Sequence, residues 1–172
     1  MRSPAIAEVP LASLAETPGP GSLTFVRSHF DQPRIDAASF RLIVDGAVGE
    51  ERSLSLDEIK RQPFVRRTIA LECAGNARAG LQPKVARVQW GPGGASVIEV
   101  GGTPLAPLLE QAAPHREAHE VLFVGADSGR VDGRLITYER TLTIEDARDP
   151  GVLLVHHGGV GTLGQALKAG IP

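Results

Sequence analysis

Cys73 is the single cysteine of the 172-residue chain. It ends the apolar, β-prone run "RRTIALEC" (Arg66 to Cys73), where the chain breaks into "AGNARAG". A lone thiol is as a rule a buried, inert core residue. The setting here points to more. A strand that runs into Cys-Ala-Gly-Asn leaves the sulfur at the C-terminal edge of a sheet, where ligand sites often form. Gly75 allows close backbone approach, and Asn76 can tie the turn with side-chain hydrogen bonds. Arg78 is a cationic neighbour for a thiolate, and a soft sulfur beside cationic donors suits a metal or a nucleophilic role.

A second cluster is "FVRSHFDQPRID", Phe25 to Asp36, in which Arg27, His29, Arg34 and two aspartates share a segment with little periodicity. Arginine with histidine on a loop suits an anion, and the same composition equally suits a solvated, salt-bridged surface. His115, His119, His156 and His157 lack the spacing to a carboxylate or second cysteine that a metal site needs, so they read as structural or solvated. Trp90, the single tryptophan, is a core candidate that the following glycine loop, Gly91 to Gly94, also fits to a pocket wall.

The elements that must position these residues are short. Met1 to about Leu23 is rich in proline and glycine and reads as an extended arm (1–22) lying on the domain. "FRLIVDG" is an alternating strand ending in an Asp-Gly turn, and Ser55 with Glu58 forms a capping box for a short helix that stops at Pro63. "RRTIALEC" reads as a buried strand; "VARVQW" (Val85 to Trp90) and "SVIEV" (Ser96 to Val100) are strand candidates around "GPGG". "TPLAPLLEQA" is a helix with prolines near its start. "EVLFVGAD" is a buried strand ending at an acidic turn, "LITYERTLT" and "VLLVHH" are further strands, and "IEDARD" is a helical turn. Single strands alternating with short helices predict an α+β domain (23–157) with a mixed β-sheet core and short helices. The phosphate-loop glycine fingerprint is missing.

Bulk properties narrow the class. An apolar content of 42% is that of one ordinary globular domain, and a net charge of −2 with interspersed signs argues against nucleic acid as a partner. One cysteine supports neither an internal disulfide nor a zinc finger. With neither a membrane span nor a signal-like start, a cytoplasmic location is expected, or a periplasmic one if a leader has been removed.

The motifs "FVRSHF", "LECAGNAR", Trp90 with "GGAS", "GGTPLAPLL", "GADSG" and "YERTLTIEDARDP" follow one another as in the molybdopterin-binding domain of sulfite oxidase-like oxidoreductases, which the chain resembles over roughly Leu23 to Leu154. The resemblance implies the sulfite oxidase-type fold, a molybdenum cofactor (Mo-molybdopterin), and oxygen-atom transfer on a small oxyanion, sulfite to sulfate first among them. It implies that Cys73 is the metal ligand, that Arg27, Arg78 and Trp90 line the oxyanion pocket, and that Phe25, Ser28, His29 and Asp127 touch the pterin. Planar guanidinium donors suit a small oxyanion, and the cofactor takes up the two electrons. The electron acceptor is unknown, and a homodimer is possible because many members carry a dimerisation domain. No haem-attachment motif occurs, so no haem is expected.

The tail "GGVGTLGQALKAGIP" (158–172) departs from the family pattern, so the C-terminal part of the domain is expected to be missing. This keeps a second reading open, a non-catalytic truncated family member or binding module that does not retain cofactor. A third, thiol-redox chemistry at Cys73 alone, has no resolving cysteine to work with.

Overall fold

A computed structural model of the chain describes residues 5–15 and 23–157, mostly as strand with a few short helices. The tail from 158 onward, expected to diverge, lies outside the described residues, as do 1–4 and 16–22. In the arm, β1 (Ile6–Ala7) pairs antiparallel with β2 (Val26–Arg27), and a 3-10 turn follows at Leu11–Ala15. β3 (Arg41–Val44) leaves through the expected Asp-Gly turn, where Gly46 has φ +89°, and returns antiparallel as β4 (Arg52–Ser55).

Ser55 ends β4 and caps α1 (Leu56–Lys60). Its hydroxyl accepts from the Glu58 amide at 3.3 Å, while the Glu58 carboxylate accepts from the Ser55 amide at 2.8 Å. The cap turns Ile59 fully inward, where it meets Leu54, Leu108 and Leu154.

The central sheet is three-stranded, in the order β5 (Val65–Glu72), β6 (Ala95–Pro104), β9 (Leu153–His157). Every strand pairing among the described residues is antiparallel, so the sheet is not the mixed one expected from the sequence. β6 is the buried spine, with Ser96, Ile98 and Val100 inward and Gly101 to Thr103 buried without a break. β5 is half-exposed rather than buried: its polar positions face outward, and Arg66 meets Glu99 of β6 at 2.6 Å. The β6–β9 register shifts between Gly101 and Gly102. There β9 passes so close that a β-carbon on Gly102 would meet the Leu154 carbonyl and lie 2.7 Å from Val155 Cα.

α2 (Leu105–Glu110) wedges between two apolar clusters. Leu108 joins Leu54, Ile59 and Leu154, whereas Leu105 and Leu109 join Ala147 of α3 (Ile144–Ala147), with Val121, Phe123 and Leu142 packed alongside. Those last residues belong to the hairpin of β7 (Glu120–Val131) and β8 (Arg134–Thr143). Asp132 and Gly133, at φ +49° and +79°, form its tight connection, as suits an Asp-Gly hairpin turn.

Two expectations are corrected. β7 does not end in an acidic turn at Asp127; it runs to Val131, with an irregularity between Val124 and Ser128 that contains Asp127, because the Asp132-Gly133 turn lets Ser128 to Val131 pair back on β8. Nor do residues 85–90 form a strand. Arg87 has φ +134°, and carbonyls that a ladder would use are taken by side chains: Gln89 Nε2 donates to those of Val85 and Arg87 at 2.7 and 2.9 Å. Among the described residues no helix is long and apolar enough to cross a membrane.

Replacing Ser55 by alanine removes the cap and lowers stability by about 1 kcal/mol in chemical denaturation. The Ser55 hydroxyl and amide hold the Glu58 carboxyl below its ordinary value, so the stability Glu58 contributes is present above its unfolded pKa and is lost as pH falls through the lowered folded one. The acid limb of the stability curve is therefore shallower in Ser55→Ala. Gly102→Ala, which forces β6 and β9 apart, costs about 1–3 kcal/mol by the same measurement.

Candidate functional site

β5 hands the chain to Cys73, a free, half-buried thiol one residue past the strand. Its backbone is fixed on both sides: the Cys73 amide donates to the Gly94 carbonyl at 2.8 Å, and its carbonyl accepts from the Asn76 amide at 2.7 Å. Asn76 then performs the role its sequence position suggests. Its Oδ1 accepts from the Gly94 amide at 2.9 Å, and its Nδ2 donates to Glu72 at 2.9 Å. Ala77, in the left-handed region at φ +57°, reverses the chain into a 3-10 turn at Arg78–Gly80.

The segment Trp90 to Gly94 lies along this turn. The Ala77 amide donates to Gly91 at 2.8 Å and the Ala79 amide to Trp90 at 2.9 Å, continuing the link made at Cys73. Trp90 is 1% exposed. Its ring packs against Gly94 and meets Phe25 edge-on at 5.9 Å and 87°. The Phe25 amide donates to Ser96 Oγ at 2.9 Å, which ties the "FVRSHF" segment to β6. Arg78 folds back over the turn, its Nη1 donating to the Val88 carbonyl at 3.2 Å and its Nη2 2.8 Å from where a Gly75 β-carbon would stand. Cys73, Arg78, Trp90 and Phe25 thus form one neighbourhood.

The other predicted residues gather elsewhere. Arg27 is exposed on β2 and donates to the Ser28 carbonyl; Ser28 is buried and its amide donates to Ala5 at 3.0 Å. His29 stands over the hairpin, its ring 5.8 Å from that of Tyr138, while Phe30 packs on Gly129. Asp127, 4% exposed, lies in the same hairpin beside Gly125. The segment from Phe25 to Phe30 therefore spans from the cysteine neighbourhood to the hairpin.

Sequence reasoning missed Glu8, Ser96 and Tyr138. "GPGG" offered a signal for the first, since glycine amides on a loop need acceptors, but nothing in the sequence says which distant residue supplies them.

Among the described residues no three His, Cys, Asp or Glu side chains group as a metal cage; Cys73 offers one soft sulfur donor, which fits a metal that brings its other ligands in an accompanying group. Asn76→Ala leaves the Gly94 amide without its acceptor and costs about 1–3 kcal/mol in denaturant unfolding, with faster labelling of Cys73 by a thiol reagent.

Residues 29–166 match the oxidoreductase molybdopterin binding domain. Mitochondrial sulfite oxidase of Rattus norvegicus is 36% identical over 154 residues, which is 84% of this chain and 27% of that protein. A nitrate reductase [NADH] of Ulva prolifera is 30% identical over 141 residues, 77% of this chain and 16% of that protein. The crystal structure of the sulfane dehydrogenase SoxCD from Paracoccus pantotrophus superposes with a TM-score of 0.69 at 25% identity, covering 91% of this chain and 38% of that one. The chain spans about a quarter of the length of the sulfite oxidases it matches. With a thiol fixed at the end of β5 and the family match running across most of its length, the chain belongs to the oxidoreductase molybdopterin binding domain family.

Proposed function

We propose that the chain carries the metal-ligating part of a molybdenum-dependent oxidoreductase of the sulfite oxidase type, acting on a small oxyanion, with sulfite the leading substrate. The observation that carries this reading is the Cys73 thiol, half-buried and held by backbone hydrogen bonds on both sides, with Arg78 folded over its turn. When bound, the molybdenum cofactor supplies two-electron oxygen-atom transfer chemistry.

The chain's own residues then divide the work. Cys73 would hold the metal as a thiolate. Arg78, folded over the Cys73 turn, would present planar donors that match the oxygens of a small anion, and Arg27 would join it by swinging in from its Ser28 contact on β2. Trp90, buried against Gly94 and Phe25, excludes water from that side of the anion. Phe25, Ser28, His29 and Asp127 would hold the pterin, along the segment that spans to the hairpin.

A second reading, a non-catalytic family member or binding module that does not retain cofactor, is favoured by the open outer face of the hairpin. There Leu122, Val124 and Leu135 are 55%, 58% and 68% exposed.

Protein produced in a host that makes the cofactor is expected to contain close to one molybdenum and one pterin per chain, and to reduce an artificial electron acceptor when sulfite is added. Cys73→Ser loses both the metal and the turnover. A folded wild-type sample with neither molybdenum nor pterin overturns the proposal and supports the second reading; stoichiometric cofactor with no turnover on any small oxyanion overturns the assigned chemistry.

A further inference from the structure

We infer that Glu8, in the N-terminal arm, is a positioning residue: its carboxylate sets the loop that carries Trp90 and, through that loop, the turn that carries Cys73. Glu8 Oε1 accepts from the Gly91 amide at 2.7 Å and Oε2 from the Gly93 amide at 3.1 Å. Two loop amides aimed at one carboxylate form a small anion-binding concavity, filled here by the chain's own side chain. The neighbouring Val9 is 7% exposed, and its amide donates to the Gly93 carbonyl at 2.9 Å. The approach is close enough that a β-carbon on Gly93 would meet the Val9 carbonyl and lie 2.9 Å from Glu8 Cβ.

The opposite side of the same loop is bonded to the cysteine turn through Cys73, Asn76, Ala77 and Ala79. The loop is therefore held between the arm and the turn, and a shift on one side is passed to the other. The arm has anchors that do not involve the carboxylate: Ile6 and Ala7 pair with Arg27 and Val26, and the Ser28 amide donates to Ala5. Removing the charge of Glu8 thus loosens the loop while the arm stays docked. Because those anchors lie on the strand of Arg27, the arm also links Arg27 to Trp90. That this linkage tunes an oxyanion pocket rests on the function proposed above; the mechanical coupling does not.

Trp90 and Cys73 are the single tryptophan and the single cysteine of the chain, so fluorescence and thiol chemistry each report one residue. On metal-free protein, Glu8→Ala is expected to raise acrylamide quenching of Trp90 and to speed Cys73 modification by an aromatic disulfide reagent about fivefold, as the loop loses both of its charge-assisted hydrogen bonds to the carboxylate. Glu8→Gln, whose amide oxygen replaces one acceptor, falls between Glu8→Ala and the wild type. Glu50→Gln, in an exposed pair with Arg52, matches the wild type. The inference is overturned if Glu8→Ala or Glu8→Gln leaves quenching and thiol rate unchanged, including when the melting temperature falls, since that is the mark of a residue that only secures the arm. Molybdenum content of cofactor-loaded preparations tests the proposed function separately.

Discussion

The hydrogen bonds that run from the Cys73 amide to Gly94, and on through Asn76, Ala77 and Ala79 to the Trp90–Gly94 segment, hold together two stretches that belong to no regular ladder. Trp90, Gly93 and Gly94 are buried, and backbone groups taken away from water need partners. The β5–β6 register supplies the starting point. It places Glu72 opposite Ala95, so the next residues in each direction, Cys73 and Gly94, meet in line with the strands and extend the pairing into the turn. The position of the thiol is thus a consequence of sheet register, and Asn76 and the arm secure it.

Behind this site the sheet is braced by α2, whose leucines divide between the cluster under α1 and the cluster under the β7–β8 hairpin. Thr103, fully buried on β6, adds a polar tie: its hydroxyl donates to the Ile59 carbonyl at 3.2 Å and lies 3.1 Å from His156 Nε2. The ion pairs Arg66–Glu99 and Arg148–Glu110 are solvent-exposed and contribute little beside the apolar clusters. Around Cys73 the hold comes from packing, backbone bonding and the side chains of Asn76 and Glu8.

Membership of the molybdopterin-binding family gives the thiol a chemical context, and the two neighbourhoods give it a layout. One gathers Cys73, Arg78, Trp90 and Phe25; the other gathers His29 and Asp127 on the hairpin, with the stretch from Phe25 to Phe30 running between them.

Features set by neighbours in the chain were legible from the sequence. The Ser55–Glu58 cap, the strand leading to Cys73, the leucine face of α2 and the Asp-Gly turn after β3 all work across a few residues, where composition and spacing act directly. The same local logic applies at Asp132-Gly133, and it fails at residues 85–90, where β-prone residues are held in a loop by side-chain bonds to the backbone. Tertiary structure alone decided the partners that lie far apart in sequence: Asn76 with Gly94, 18 residues on, Phe25 with Ser96, 71 on, and Glu8 with Gly93, 85 on. The sequence by itself determined which residue types could serve a metal and an anion and which short elements carry them. Folding decided which of them meet, because a backbone donor on a buried loop takes whatever acceptor packing brings to it, and no local pattern records which that will be.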